Sequence, residues 1–236
     1  MSEVPEVVWL RSRRGRRGPA PERDHAGITA AAVAIADEEG LEAVTMRSVA
    51  RRLGTGPASL YRYVSSREDL LDLMTDEMAG EVDVSVPHTG DPAEDMADIA
   101  LRIRAVYRAH PWFLDVPLEV LRMGPKGLRY LEYALGALEP TGAPGNAKLK
   151  TTAMTTGIVA MLVRMEREAD PSNDSRFAAQ ARYIDSMISS GDFPLIAAAM
   201  GDQAADSRPV SDDEKLKETL RRVVRGLLGL PSPGRA

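Results

Sequence analysis

Residues 45–71 constrain this chain more than any other stretch: Thr-Met-Arg-Ser-Val-Ala-Arg-Arg-Leu-Gly-Thr-Gly-Pro-Ala-Ser-Leu-Tyr-Arg-Tyr-Val-Ser-Ser-Arg-Glu-Asp-Leu-Leu. Val49, Ala50 and Leu53 share one helical face, which predicts a short helix over 45–53 with Arg47, Arg51 and Arg52 outside. Gly54 can take the left-handed backbone that ends a helix. Thr55 or Gly56 can cap the next helix, and Pro57 suits its first turn because the missing N–H is not needed there. That second helix, over 57–63, buries Leu60 and Val64 and exposes Ala58, Ser59, Tyr61, Arg62 and Tyr63. Ser66 then starts another, with Asp69 three residues on as in a capping box. A short exposed helix of small, hydroxyl, aromatic and arginine side chains fits the major groove of B-DNA. The pattern is that of a helix-turn-helix.

A net charge of −5 over 236 residues looks wrong for a DNA-binding chain until it is divided. Residues 1–67 hold 11 arginines and no lysine against 8 acidic residues, a surplus of three, which leaves −8 for the rest. The positive end coincides with the helix-turn-helix. Zero cysteines exclude a disulfide scaffold and a thiol nucleophile, and suit a reducing cytoplasm. His25, His88 and His110 are dispersed without ligand spacing, so no metal site is expected. There is no nucleophile elbow, phosphate-cradling glycine loop or strand to carry a doubly wound site, so neither an enzyme nor a cofactor is expected. The arginine-rich start followed by an alanine-rich stretch imitates an export signal. Ile28, Ala31, Ala32, Ile35 and Ala36, however, make the stripe of an amphipathic helix ending at Asp37-Glu38-Glu39-Gly40. No run approaches the roughly 20 apolar residues of a spanning helix, so no membrane partner is expected.

No strand-like alternation appears, and the expected fold is all-α. Residues 1–22, rich in arginine, glycine and proline, read as a disordered basic arm; 23–82 as the DNA-binding domain; 91–230 as a helical bundle for ligand binding and dimerisation. Asp83–Asp91 is the seam between domains, and Asp91-Pro92-Ala93-Glu94 starts a helix whose buried stripe is Met96, Ile99, Ala100, Ile103, Val106 and Tyr107. Leu128, Leu131, Leu135 and Leu138 mark a further helix, and 147–168, apolar nearly all round between Ala153 and Val163, reads as a central one. Two late stripes follow, Phe177, Ala181, Ile184 and Ile188, then Leu216, Leu220, Val223, Val224, Leu227 and Leu228.

Over roughly residues 23–75 the chain resembles the tetracycline-repressor family of bacterial regulators. The resemblance lies in Glu-Glu-Gly-Leu at 38–41, Thr-x-Arg-x-Val-Ala-x-x-Leu-Gly at 45–54, Ser-Leu-Tyr-Arg-Tyr-Val at 59–64 and Arg-Glu-Asp-Leu-Leu at 67–71. It implies that Arg47 reaches a base edge, that Thr45, Tyr61, Tyr63 and Arg67 meet phosphates or sugars, and that Pro57, Ala58, Ser59 and Arg62 face bases, with Thr55 in the same surface. Small Pro57 and Ala58 give the recognition helix little hydrogen-bonding capacity at its start. Arg47, Arg62, contact with thymine methyls and DNA shape are left to carry specificity.

The resemblance also implies a small hydrophobic ligand and a homodimer. Tyr107, His110, Trp112, Phe113, Met123, Tyr130, Tyr133, Met154, Met161 and Met165 are the pocket candidates, with plain core as the alternative, and Arg104, His110, Arg164 and Glu166 are candidate polar anchors. Phe177, Ile184, Ile188, Leu220, Val224 and Leu227 are the dimer candidates, for a two-fold contact between the last long helices of each subunit, again with core as the alternative. Arg13, Arg14, Arg16 and Arg17 suggest an arm entering an adjacent minor groove, or a solubilising tail. The expectation is a repressor released from a palindromic operator by its ligand. An activator built of the same parts and a non-sequence-specific architectural DNA protein are the alternatives.

Overall fold

The computed structural model describes residues 7–10, 24–117, 123–168, 174–205 and 211–231, without the side chains of 168, 174–177 and 202–205. Helix α1 (His25–Glu39) opens under Asp24, whose carboxylate accepts from Gly27 N at 2.9 Å, and buries Ile28, Ala31, Ala32, Ile35 and Ala36. A 3-10 turn (Leu41–Ala43) leads to α2 (Met46–Arg52) and α3 (Pro57–Leu60), both shorter than their hydrophobic stripes because the flanking residues form turns. Helix α4 (Arg67–Glu81) starts on Ser66, whose hydroxyl accepts from Asp69 N, as the capping-box pattern predicts. It packs on α1 at one end and on the second half of the molecule at the other, so it belongs to both.

That second half holds α5 (Pro92–Ala109), a 3-10 segment (Pro111–Asp115), α6 (Pro125–Ala137), α7 (Gly145–Glu168), α8 (Asp174–Ser189), α9 (Pro194–Ala205) and α10 (Asp212–Leu228). The described residues contain helices and no strand, as the all-α expectation requires. Asp91 caps α5 by accepting from Ala93 N and Glu94 N, and the predicted stripe from Met96 to Tyr107 is buried. None of the described helices is long and apolar enough to cross a membrane.

Four expectations change. Residues 7–10 are not a disordered arm: they form a turn, Leu10 N donating to Val7 O at 3.0 Å, and Val8 is fully buried in the core. Arg13, Arg14, Arg16 and Arg17 lie outside the described residues. Helix α6 does not bury its leucine stripe evenly. Leu128 is exposed, and small Gly127, Ala134 and Ala137 face inward because α4 and α7 approach closely. Helix α7 is not enclosed, for only Lys148, Thr151, Thr152, Thr155, Val159 and Val163 are buried, while Met154, Met161 and Met165 project outward. The stripe of α10 is subunit core: Leu216, Leu220 and Val224 are buried against α5 and α7, so Leu220 and Val224 are closed to a partner and Leu227 is half-buried.

The α5–α10 seam is closed by charge. Arg221 Nε meets Glu94 at 2.6 Å, Lys217 meets Asp98 at 2.5 Å and Arg225 meets Asp91 at 3.0 Å. The Arg221 guanidinium holds the Glu94 carboxyl below its usual range. Buried Arg104 bridges Asp213 and Glu166.

Candidate DNA interface and regulatory cavity

Local chemistry rigidifies the helix-turn-helix. Thr45 caps α2, its hydroxyl accepting from Ser48 N at 3.0 Å while Ser48 Oγ accepts from Thr45 N at 2.9 Å. Gly54 sits at φ 62°, where a side chain would be strained, and Thr55 N reaches back to Ala50 O at 2.9 Å. Gly56, not Thr55, caps α3, with Pro57 in its first turn. Val49, Ala50, Leu60 and Val64 bury the inner faces.

What remains outside is a convergent surface. Arg47, Pro57, Ala58 and Arg62 are exposed, Tyr61 is 53% exposed, and Ser59 and Thr55 are half-buried beside them. Among the described residues Arg47, Arg51 and Arg62 make no ion pair, so their charge faces solvent. Arg52 is different, because both its terminal nitrogens meet Glu38, at 2.7 and 2.6 Å. That bond holds the exposed Glu38 carboxyl below its usual range. Tyr63 is half-buried against the core, and its carbonyl meets His25 Nε2 at 3.1 Å, leaving Tyr61 as the outward tyrosine.

Arg67 departs from its expected role. Its Nε donates to Val44 O and a terminal nitrogen to Leu41 O, both at 3.1 Å, stapling the start of α4 onto the turn before α2. A half-buried guanidinium held by two carbonyls is positioned to orient the head, with its direction fixed inward although three of its five N–H groups remain.

At the other end of α4 lies a cavity of about 80 Å³ between α4, α5, the 3-10 segment, α6 and α7. Of the sequence candidates, Tyr107, Phe113 and Tyr130 line it, with Met78, Ala79, Val82, Ile103, Val106 and Thr156. Tyr130 and Thr156 hydroxyls lie 3.1 Å apart, and burial pushes the Tyr107 hydroxyl up to about 12. Met78 and Val82 were missed because their i, i+4 pairing on α4 reads as ordinary core.

The other pocket candidates are elsewhere. Trp112 is buried and its indole N–H donates to Asp37 at 2.6 Å; His110 places Nδ1 2.7 Å from Asp37 and Nε2 3.0 Å from Glu81. Together they tie α1 and the end of α4 to the second half. Tyr133 donates to Val86 O at 2.6 Å and packs against His88. Met123, just before α6, is exposed, and Met154, Met161 and Met165 face outward because the inward face of α7 is mostly threonine and valine. The anchor candidates are spoken for: Arg104 and Arg108 pair with Glu166, and Arg164 donates to Leu114 O.

Among the dimer candidates, Ile184 and Ile188 are half-buried on α8, and the side chain of Phe177 lies outside the described residues. Helices α8 and α9 leave Tyr183, Phe193, Leu195, Ile196 and Met200 exposed.

Residues 28–74 match the bacterial regulatory proteins of the tetR family, and residues 86–230 match the tetracyclin repressor-like C-terminal domain. The HTH-type transcriptional repressor DrrR1 of Streptomyces coeruleorubidus is 32% identical over 216 residues, covering 84% of this chain and 76% of that protein. An HTH-type transcriptional regulator of Saccharopolyspora erythraea is 30% identical over 198 residues, covering 81% and 83%. Among solved structures, ActR of Streptomyces coelicolor in complex with actinorhodin superposes with a TM-score of 0.74 at 25% identity, covering 92% of this chain and all of that one (100%). Apo ActR gives 0.72 at 26% identity, covering 89% and 97%.

Proposed function

The chain belongs to the tetracycline-repressor family of DNA-binding transcriptional regulators, and we propose that it is a homodimeric repressor whose operator is released when a small hydrophobic molecule fills the cavity on α4. The observation that carries this is the shared helix: α4 forms a wall of the cavity through Met78 and Ala79, with Val82 just past its end, and its first residue, Arg67, staples the helix-turn-helix. In the proposed complex Arg47 and Arg62 read base edges, arginine bonding guanine O6 and N7 as a fork, while Pro57 and Ala58 meet thymine methyls. Thr45, Ser59 and Tyr61 contact the backbone, and Arg51 adds charge that Arg52 has given to Glu38. Arg13, Arg14, Arg16 and Arg17 enter the neighbouring minor groove; their joint replacement by Gln flattens the salt dependence of binding, by about one unit of slope per lost phosphate contact.

The ligand is mostly apolar, to suit a wall that presents almost only carbon and in which the Tyr130 and Thr156 hydroxyls bond each other. ActR was solved with actinorhodin bound, which makes actinorhodin the first compound to try. It acts by preferring one spacing of the DNA heads, with a leverage of about 1–3 kcal/mol for couplings of this kind. The proposed dimer uses the outward face of α7, where Met154, Gly157, Met161 and Met165 form an apolar strip, with the apolar side of α8 and α9. Two-fold symmetry then sets the recognition helices about 34–36 Å apart on a near-palindromic site. The setting is the cytoplasm, with its DNA and reducing conditions.

The test is selection of random duplex DNA by the purified chain, then gel filtration of the complex and release by actinorhodin. A short palindrome held by two subunits is expected. Enrichment of AT-rich tracts alone would replace this proposal with an architectural role.

A further inference from the structure

Val8 and Trp9 belong to neither the DNA surface nor the cavity, yet Val8 is fully buried and Trp9 packs against the same core. Trp9 rests on Gly124, the residue before α6, where a Cβ would lie 2.5 Å from two carbons of its indole ring. Gly124 has an ordinary extended backbone, φ −91°, so glycine is there for space and not for conformation. The Asp76 carboxylate of α4 occupies the other side of the same point. It accepts from Gly127 N at 2.8 Å and Lys126 N at 3.3 Å. These are N–H groups of the first turn of α6, which have no partner inside the helix. Gly124 offers no side chain to serve them, so α6 is capped from α4. Lys126 reaches back to Glu77 at 2.5 Å. Trp9, Asp76 and Gly124 therefore pin the start of α6 to the middle of α4.

The cavity opens along the same seam. Met78, Ala79 and Val82 follow Asp76 within two turns, and Tyr130 follows Gly127 by three residues. About 80 Å³ is far below the few hundred Å³ that drug-sized ligands occupy, so such a ligand must widen the cavity, and α4 and α6 are two of its walls.

We propose that Trp9 and Asp76 form a latch that holds α4 and α6 in the operator-binding arrangement, and that filling the cavity opens it. This rests on the cavity being the ligand site. Trp9 is thus a positioning residue for DNA binding, although it lies far along the chain from the recognition helix. Couplings between sites typically span about 5–150-fold in affinity. Independent changes multiply, whereas changes acting through one element do not.

The experiment is a double-mutant cycle on operator affinity, using duplex DNA recovered by selection and no ligand. Ala79→Leu fills the cavity from within, with Val106→Met as a second filler; Trp9→Ala opens the latch and Trp9→Phe preserves its bulk. Ala79→Leu is expected to weaken operator binding about tenfold, and Trp9→Ala by a similar factor. The double variant is expected to lie within about threefold of the weaker single one, and Trp9→Phe to restore most of the affinity. Acrylamide quenching of Trp9, isolated as the difference from Trp9→Phe, is expected to rise in Ala79→Leu. If either filler weakens binding but its effect multiplies with that of Trp9→Ala, the latch is refuted and the ligand cavity stands. If both fillers fold and leave binding unchanged, the cavity reading falls and the latch with it.

Discussion

Arg67 separates what the family motif suggests from what the fold does with it. The motif places this arginine among phosphate contacts; the structure gives its Nε to Val44 O and a terminal nitrogen to Leu41 O, each at 3.1 Å. Hydrogen bonds from a charged donor are worth about 1.5–3 kcal/mol each, and more is lost when a buried acceptor is left alone. The guanidinium is only half-buried, so water recovers part of this, and Arg67→Ala is expected to cost about 2–3 kcal/mol. At about 2–4 °C per kcal/mol for a chain of this length, the melting temperature falls by about 5–10 °C. Arg67→Lys keeps the charge but cannot fork between two carbonyls, and should lose about half as much. The assay pairs thermal unfolding by circular dichroism with operator titration at several salt concentrations. Arg62→Ala is the control, expected to keep the melting temperature and lose affinity. A melting temperature for Arg67→Ala within about 1 °C of wild type, together with a salt slope shallower by about one unit, would identify a phosphate contact and refute the staple.

Three further outcomes follow from the geometry. Arg221 lowers the Glu94 carboxyl, so the seam's stability is present above the ordinary value of 4.5 and is lost as pH falls through the lower folded value. Glu94→Gln should therefore flatten the acid limb of stability below about pH 5, and an unchanged limb in denaturant titrations would exclude the pair as its cause. The raised Tyr107 hydroxyl has the opposite sign, with stability present below the ordinary value of 10.0 and lost as pH climbs toward about 12. Tyr107→Phe should remove that alkaline loss, read by unfolding between those pH values. Leu220→Ala, in the sealed α5–α10–α7 core at 0% exposure, is expected to cost about 2–5 kcal/mol, whereas Met161→Glu, 54% exposed, should leave the subunit folded and yield monomers on light scattering. A Met161→Glu protein that stays dimeric would exclude the α7 strip as the interface.

The helix-turn-helix is legible in the chain because its constraints are local. Thr45 and Ser48 cap each other across three residues, Gly54 turns the backbone and Pro57 starts the next helix, so each decision is made within one turn. The serine cap at Ser66 and the start at Asp91 are legible for the same reason. An apolar stripe says that a helix face will be covered, but not by what. Leu220 and Val224 on α10 and Met161 and Met165 on α7 look alike as sequence, yet one pair is sealed inside the subunit and the other faces out. The difference shows in the charged row flanking that face of α10, where Lys217, Arg221 and Arg225 find Asp98 and Glu94 of α5 and its cap Asp91, residues more than one hundred positions away. That long-range pairing, which no periodicity records, marks the face that turns inward.

The same reasoning explains why Trp9 and Asp76 escaped notice. Composition classes Val7–Leu10 with the arginine, glycine and proline around it, and Asp76 as one more acid on a helix. Each acquires its role only from Gly124, where the absence of a side chain admits both the indole and the carboxylate. A glycine with ordinary backbone angles at the mouth of a helix marks a place where something must approach closely. That signal is present in the sequence as Gly124-Pro125, but it names neither partner until the helices are assembled. Regulation depends on such non-local contacts by necessity. A ligand can shift only an arrangement whose two states differ at its own site, and the α4–α6 seam is where the cavity, the cap of α6 and the helix carrying the DNA head coincide.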